Sequence, residues 1–157
     1  MGKVYNFMSS PVIKIDLNVL LKDAIDKMVN NNISALLVEK EGNIIGIITK
    51  TDWHYLILSQ TVDPNTLKVS TIMSYPIITI DRNETMQRAG FVLEKNKIRH
   101  LAVTELGQIK GILSTKDLED YYLKLHDSAG VPHYWLWNQY FKKVIVVASI
   151  SLNENYS

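Results

Sequence analysis

Two stretches of the chain place a hydroxyl and a carboxylate three residues apart, Thr49-Lys50-Thr51-Asp52 and Ser114-Thr115-Lys116-Asp117. Each closes a heptad that opens on glycine: Gly46-Ile47-Ile48-Thr49-Lys50-Thr51-Asp52 and Gly111-Ile112-Leu113-Ser114-Thr115-Lys116-Asp117. A carboxylate accepts hydrogen bonds from a diol, and a hydroxyl beside free backbone N–H groups donates to phosphate oxygens. Together they suit a ligand that carries both a diol and a phosphate, such as a nucleotide. The same residues are also ordinary helix caps where a strand runs into a helix. Recurrence of both residue types weakens the capping explanation without removing it, since both copies need caps. The glycine adds a third property, because a strand position without a side chain permits close approach by another backbone or by a ligand.

The elements that must position these groups are themselves duplicated. Aligning Met8–Asp52 with Met73–Asp117 at a constant displacement of 65 gives 45 pairs with no gap, 17 of them identical. Such a repeat means two copies of one supersecondary unit. In the first copy, Pro11 precedes an alternating strand at Val12 to Ile15, with Asp16 and Asn18 as expected helix caps. Leu20, Leu21, Ala24, Ile25 and Met28 recur at helical spacing over Val19 to Asn30, and the asparagines at 30 to 32 end that helix. Two apolar strands, Ala35 to Val38 and Ile44 to Ile48, flank a Glu41-Gly42-Asn43 turn and read as a hairpin. A second helix starts near Thr51 or Asp52 and carries Trp53, Leu56 and Ile57. The second copy predicts the same order: a strand at Ile77 to Ile80, a helix from about Glu84 to Lys95, strands at Leu101 to Val103 and Ile109 to Leu113, and a helix from about Lys116. The unit is β-α-β-β-α. Asp63-Pro64-Asn65 marks a short connector. The expected organisation is residues 1–60 as repeat one, 61–125 as repeat two and 126–157 as an aromatic and apolar extension.

Composition narrows the possibilities. A net charge of +1 gives no general field for nucleic acid or anionic membrane. The chain has no cysteine, which excludes disulfides, thiolate catalysis and sulfur-ligated zinc. The opening Met1-Gly2-Lys3-Val4-Tyr5-Asn6 lacks the apolar run of a signal peptide, so a soluble, cytoplasmic protein is expected. The histidines at 54, 100, 126 and 133 have no metal-ligand spacing. No Gly-x-Ser-x-Gly elbow, Walker pattern or Gly-x-Gly-x-x-Gly turn is present, and no catalytic set emerges, so the chain reads as a non-enzyme without a required cofactor.

The Pro-led strand, the helix, the Glu-Gly-Asn turn and the Gly-Ile-Ile-Thr-Lys-Thr-Asp heptad, all repeated, resemble a tandem pair of CBS domains, the module named after cystathionine β-synthase. The resemblance covers residues 4 to about 125. It implies an α/β (α+β) fold of two β-α-β-β-α repeats packed through their sheets about a pseudo-twofold axis, with clefts that commonly hold adenosine compounds. It further implies frequent pairing of two chains. On this resemblance Asp52 and Asp117 grip ribose hydroxyls, Thr49 and Ser114 lie near ribose or phosphate, and the first strands near Ile13 and Ile78 frame adenine. Basic residues at Arg99 and His100 are positions where family members often bind phosphate, and Lys116 is a further candidate. Their counterparts in repeat one are Ser34, Ala35 and Thr51, so phosphate affinity is expected to concentrate in repeat two.

The expected function is a stand-alone regulatory module for AMP, ADP or ATP. S-adenosylmethionine or NAD is the alternative ligand, and a ligand-free structural or dimerisation module the alternative role. A homodimer or a separate effector protein would receive the signal. Beyond Gly130 and Pro132, the segment Tyr134-Trp135-Leu136-Trp137 through Ala148 is interrupted by Asn138-Gln139 and Lys142-Lys143, which argues against a membrane span. Tyr134, Trp137, Phe141, Ile145 and Ala148 fit one helical stripe, whereas Val144 to Val147 favours a strand, and both readings stand. The segment either covers the module's own apolar surface or forms a dimer or partner interface.

Overall fold

The computed structural model describes residues 2–129. The extension from Gly130 on, including the aromatic stripe and His133, lies outside the described residues. After a 3-10 turn at Val4–Asn6 the chain forms β1 (Lys14–Asp16), α1 (Leu21–Asn30), β2 (Ala35–Lys40), β3 (Asn43–Thr49), α2 (Lys50–Leu58) and a one-turn helix, α3 (Val69–Ile72). The second copy follows as β4 (Thr79–Asp81), α4 (Met86–Asn96), β5 (His100–Glu105), β6 (Gln108–Ser114) and α5 (Thr115–Ala129). Two three-stranded sheets result, β1-β2-β3 and β4-β5-β6. In each, the first strand runs parallel to the middle one and the last is its antiparallel hairpin partner. The mixed α+β class and the β-α-β-β-α order are those expected.

Local chemistry explains the turns. Both hairpins close through two residues of positive φ, Glu41 (51°) with Gly42 (82°) and Leu106 (50°) with Gly107 (78°). That pair of conformations matches the twist of the flanking strands. The middle strands are buried along Ala35–Val38 and Leu101–Val103, as expected for a strand covered on both faces.

The expected caps of α1 are a correction. Its N-cap is Leu20, with no side-chain bond. Asp16 Oδ1 instead accepts the Asn18 N–H at 2.8 Å, and Asp81 does the same for Asn83 at 2.8 Å, closing the turn that leaves β1 and β4. The first N–H groups of α1 are satisfied from afar: Leu21 donates to the Leu67 carbonyl at 2.7 Å and Lys22 to that of Pro64 at 3.0 Å. Helix α4, unlike α1, has a side-chain cap, Thr85 Oγ1 accepting from Arg88 N–H at 3.1 Å.

Among the described residues the chain forms two compact units, residues 2–10 with 79–129, and Pro11–Ile78. The segment leading into each repeat is thus part of the unit built on the other repeat's sheet. In Pro11–Ile78, Val69 is fully buried and joins a core of Ile15, Leu21, Ala24, Met28, Leu36, Val38 and Ile48. Ser74 and Ile47 exchange two backbone hydrogen bonds, at 2.8 and 3.0 Å, along the outer edge of β3. In the other unit Val4 is fully buried, and Ser9 and Ile112 exchange bonds of 2.8 and 3.0 Å along the edge of β6. Both glycines of the doubled heptad sit at these crossings. A Cβ on Gly46 would lie 2.7 Å from the Ser74 carbonyl oxygen, and one on Gly111 would lie 2.6 Å from Met8 Sδ and 3.0 Å from the Ser9 carbonyl oxygen.

Urea denaturation of glycine variants tests this packing. Gly46→Ala is expected to cost about 2 kcal/mol, since overpacking against fixed backbone costs 1–3 kcal/mol, and Gly111→Ala about 1 kcal/mol, because its nearest obstacle is a flexible thioether. Equal midpoints for Gly46→Ala and the parent protein would refute the assignment.

Candidate functional site

The strand order gathers the candidate residues at one end of each sheet. In the unit Pro11–Ile78, Ile13 leads into β1, its carbonyl accepting the Leu37 N–H at 3.1 Å, while Ala35 opens β2 opposite Thr49 at the end of β3. The first amide of α2 is held by the neighbouring loop: Lys50 N–H donates to the Ser34 carbonyl at 2.8 Å. Asp52 Oδ2 accepts both the backbone N–H of Thr49, at 2.6 Å, and its hydroxyl, at 2.9 Å.

The other unit repeats this geometry with different side chains. Ile78, the last residue of Pro11–Ile78, directly precedes β4, and His100 opens β5 opposite Ser114 at the end of β6. Thr115 N–H donates to the Arg99 carbonyl at 2.9 Å. Asp117 Oδ2 accepts the backbone N–H of Ser114 at 2.7 Å and its hydroxyl at 2.6 Å, and Asp117 N–H returns a bond of 3.3 Å to Ser114 Oγ. This reciprocal arrangement is a capping box.

Capping is therefore one established role of the Thr/Ser and Asp pairs, and it uses one carboxylate oxygen. Among the described residues, Oδ1 of Asp52 and Oδ1 of Asp117 have no hydrogen-bond partner. The close approach that the glycines permit is by backbone, Ser74 at Gly46 and Ser9 at Gly111, so the ligand alternative at those positions is dropped.

The two junctions differ electrostatically. Burial raises the Asp52 carboxyl above its ordinary value, outweighing the lowering by its bonds to Thr49. His100 is pushed down to about 4, first by burial and then by the Arg99 charge, with Asp117 pulling the other way. The imidazole is thus neutral at pH 7, and the positive charge of this junction rests on the exposed Arg99 and Lys116. Repeat one places Ser34, Ala35 and Thr51 at the matching positions, but Lys50 stands one residue before Thr51. Its exposed cation occupies the first helical position of α2, where α5 has Thr115. That near-exchange of Lys and Thr is visible in the heptads themselves and reduces the charge contrast between the copies. The sequence reading also missed Trp53 Nε1, a buried N–H without an acceptor among the described residues, next to Asp52. Its counterpart is Leu118, and Trp53 packs against the core of its unit.

Paired three-stranded units of this order, each ending in a carboxylate-capped helix, define a CBS-domain pair. The chain belongs to the CBS domain family, whose model matches it twice, at residues 4–58 and 69–124. It is 25% identical over 118 residues to the CBS domain-containing protein YhcV of Bacillus subtilis, covering 75% of this chain and 84% of that protein. The chain spans less than half the length of the next curated relatives it matches. A putative signal-transduction protein with CBS domains from Burkholderia ambifaria superposes with a TM-score of 0.72 at 23% identity, over 78% of this chain and 95% of that one. The CBS domain pair of protein MJ0100, solved in complex with 5′-methylthioadenosine and S-adenosyl-L-methionine, gives 0.69 at 22% identity, over 78% and 96%. Among the described residues no helix is long and apolar enough to cross a membrane, and no group of His, Asp and Glu is placed to hold a metal ion.

The displaced His100 value has a consequence for stability. The unfolded chain takes up a proton on this imidazole near pH 6.5, whereas the folded chain resists until about 4. The sign is destabilising in acid, beginning as pH falls through 6.5. Relative to His100→Gln, the parent protein is expected to lose up to about 2 kcal/mol between pH 8 and pH 5 by proton linkage. Urea midpoints at the two pH values check it, and parallel losses in both proteins would contradict it.

Proposed function

We propose that this chain is a non-catalytic regulatory module that binds adenosine nucleotides, AMP, ADP or ATP, at its two strand-to-helix junctions. The observation that carries the reading is the division of labour within each carboxylate. Oδ2 of Asp52 and of Asp117 holds the cap, while Oδ1 is left among the described residues to accept from a ribose hydroxyl. Thr49 and Ser114 stand beside it to contact ribose or phosphate, Ile13 and Ile78 lead the strands that would flank the base, and Arg99, His100 and Lys116 would face the phosphate. Binding changes the module's contacts with a second copy, as a cytoplasmic homodimer, or with an effector protein, provided the ligand favours one of two states. The ligands named for the MJ0100 pair support a second reading, in which one junction takes S-adenosylmethionine or a related thioether.

A thermal-shift panel of AMP, ADP, ATP, S-adenosylmethionine and NAD tests the reading, since a ligand raises the midpoint with the logarithm of one plus its concentration over its dissociation constant. Asp52→Ala and Asp117→Ala are each expected to weaken binding at their own junction by about ten- to a hundredfold, the equivalent of a charge-assisted hydrogen bond of 1.5–3 kcal/mol. Arg99→Ala should weaken AMP at the second junction alone. A panel in which no adenosine compound moves the midpoint would leave a purely structural module.

A further inference from the structure

We propose that Met8 and Met73 are oxidant-responsive sites, at which conversion of the thioether to the sulfoxide by a peroxide releases the lead segment from the edge of β6 or of β3. The two residues stand 65 positions apart and have matching surroundings, each within its own unit. The Met8 N–H donates to the Val4 carbonyl at 3.0 Å and the Met73 N–H to that of Val69 at 3.0 Å, so each methionine lies one turn beyond the fully buried valine of its lead segment. The next residue, Ser9 or Ser74, makes the paired bonds to the strand edge. Each thioether covers the glycine at that crossing. Met8 Sδ lies 2.6 Å, and Met73 Sδ 3.3 Å, from the point where a Cβ on Gly111 or on Gly46 would sit. Sulfur thus fills the space that a side chain on the glycine would take.

The other methionines among the described residues are shielded. Met28 is 2% exposed and Met86 fully buried, whereas Met8 and Met73 are half-buried. Peroxide therefore reaches the lead segments before the cores, since susceptibility follows exposure. The step balances between the thioether and one peroxide: a sulfur lone pair attacks one oxygen, the S–O bond forms as the O–O bond breaks, and the second oxygen leaves as water with both protons. Sulfur loses two electrons and the peroxide gains them. The product is polar where the thioether was apolar, and its oxygen is a strong acceptor. The crossings have no donor to give it. The Ser9 and Ser74 carbonyl oxygens, 3.0 and 2.7 Å from the same two Cβ points, are themselves acceptors, and the N–H groups of Ser9, Ile112, Ser74 and Ile47 are committed to the edge bonds. The sulfoxide must take a donor from an edge bond, or swing out to water and leave the glycine uncovered. Either way the lead segment is held less firmly. At Gly46 the Tyr75 Cβ, 3.6 Å from the Cβ point, shares the cover, so the Met8 crossing is the more sensitive.

Hydrogen peroxide treatment of the full chain, followed by peptide mapping by mass spectrometry and by amide hydrogen exchange read by NMR, tests the proposal. Met8 and Met73 should each gain one oxygen at least about tenfold faster than Met28 and Met86, whose oxidation waits on opening of the core. On oxidation of Met8, exchange at Ser9 and Ile112 should quicken about tenfold, and on oxidation of Met73 exchange at Ser74 and Ile47 should quicken by a smaller factor. Met8→Leu, similar in volume and without a thioether, should lose the response at Ser9 and Ile112 and keep that at Ser74 and Ile47. Methionine sulfoxide reductases A and B should return the parent protein to slow exchange. Oxidation of Met28 or Met86 as fast as that of Met8 overturns the proposal. So does an oxidised Met8 that leaves exchange at Ser9 and Ile112 unchanged, or a response there that survives Met8→Leu. None of these readouts involves a ligand, so failure here leaves the adenosine reading intact, and a chain that binds no nucleotide can still show the oxidation response.

Discussion

Four backbone hydrogen bonds, two between Ser74 and Ile47 and two between Ser9 and Ile112, are the constraint on which the rest of the fold depends. A three-stranded sheet leaves the outer edge of its last strand unpaired, an open template for another chain. Here each edge is closed by the segment that leads into the other repeat. The same segments bring Val4 and Val69 into the cores and, through Leu67 and Gly2, supply carbonyls to the first amides of α1 and α4. The crossing brings backbone within 2.7 Å of where a Cβ on Gly46 would sit, and the Met8 thioether within 2.6 Å of where one on Gly111 would sit. A β-bulge adjoins each glycine, between Val38 and Glu39 and between Val103 and Thr104 on the facing strands.

With the edges fixed, β3 and β6 end at defined places and the hydroxyl–carboxylate pairs fall at the starts of α2 and α5. Structural and chemical roles then share the same side chains. The cap draws on one oxygen of Asp52 or Asp117 and holds the carboxylate rigidly, which would lower the ordering cost of any ligand contact made by the other oxygen. Symmetry ends with the groups around that carboxylate. A desolvated Asp52 marks one junction, and a neutral His100 beside Arg99 marks the other.

Much of this was legible from residue types. Gly42 and Gly107 announced the hairpins, the spacing of Leu21, Ala24 and Met28 announced α1, and the 65-residue displacement announced the duplication. The pairing of segments was not legible, for a physical reason. When Met73-Ser74 repeats Met8-Ser9, both copies carry the same local signals, and nothing in the pattern tells which lead segment covers which edge. Asp16 and Asn18 misled for a related reason, because an aspartate before a helix serves equally as a cap or as the acceptor of its own turn. The neutral state of His100 depends on burial, which a strand-end position does not reveal. Asp52 and Asp117 were readable as site candidates because their spacing from Thr49 and Ser114 is chemistry of the local chain.

The exchange of lead segments also imposes an order on synthesis. Pro11–Ile78 contains both its sheet and its edge strap, so it can complete its hydrogen bonding as soon as Ser74 has left the ribosome. The first ten residues have no such opportunity. Val4, which ends fully buried, and Ser9 must wait until Ile112 has been made, more than a hundred residues later. At translation rates of roughly 5–20 residues per second, Ser9 waits on the order of ten seconds for Ile112 to be made, whereas the edge contact of Pro11–Ile78 needs no residue beyond Ser74. Residues 4–9 are therefore placed by a strand that lies more than a hundred residues beyond them.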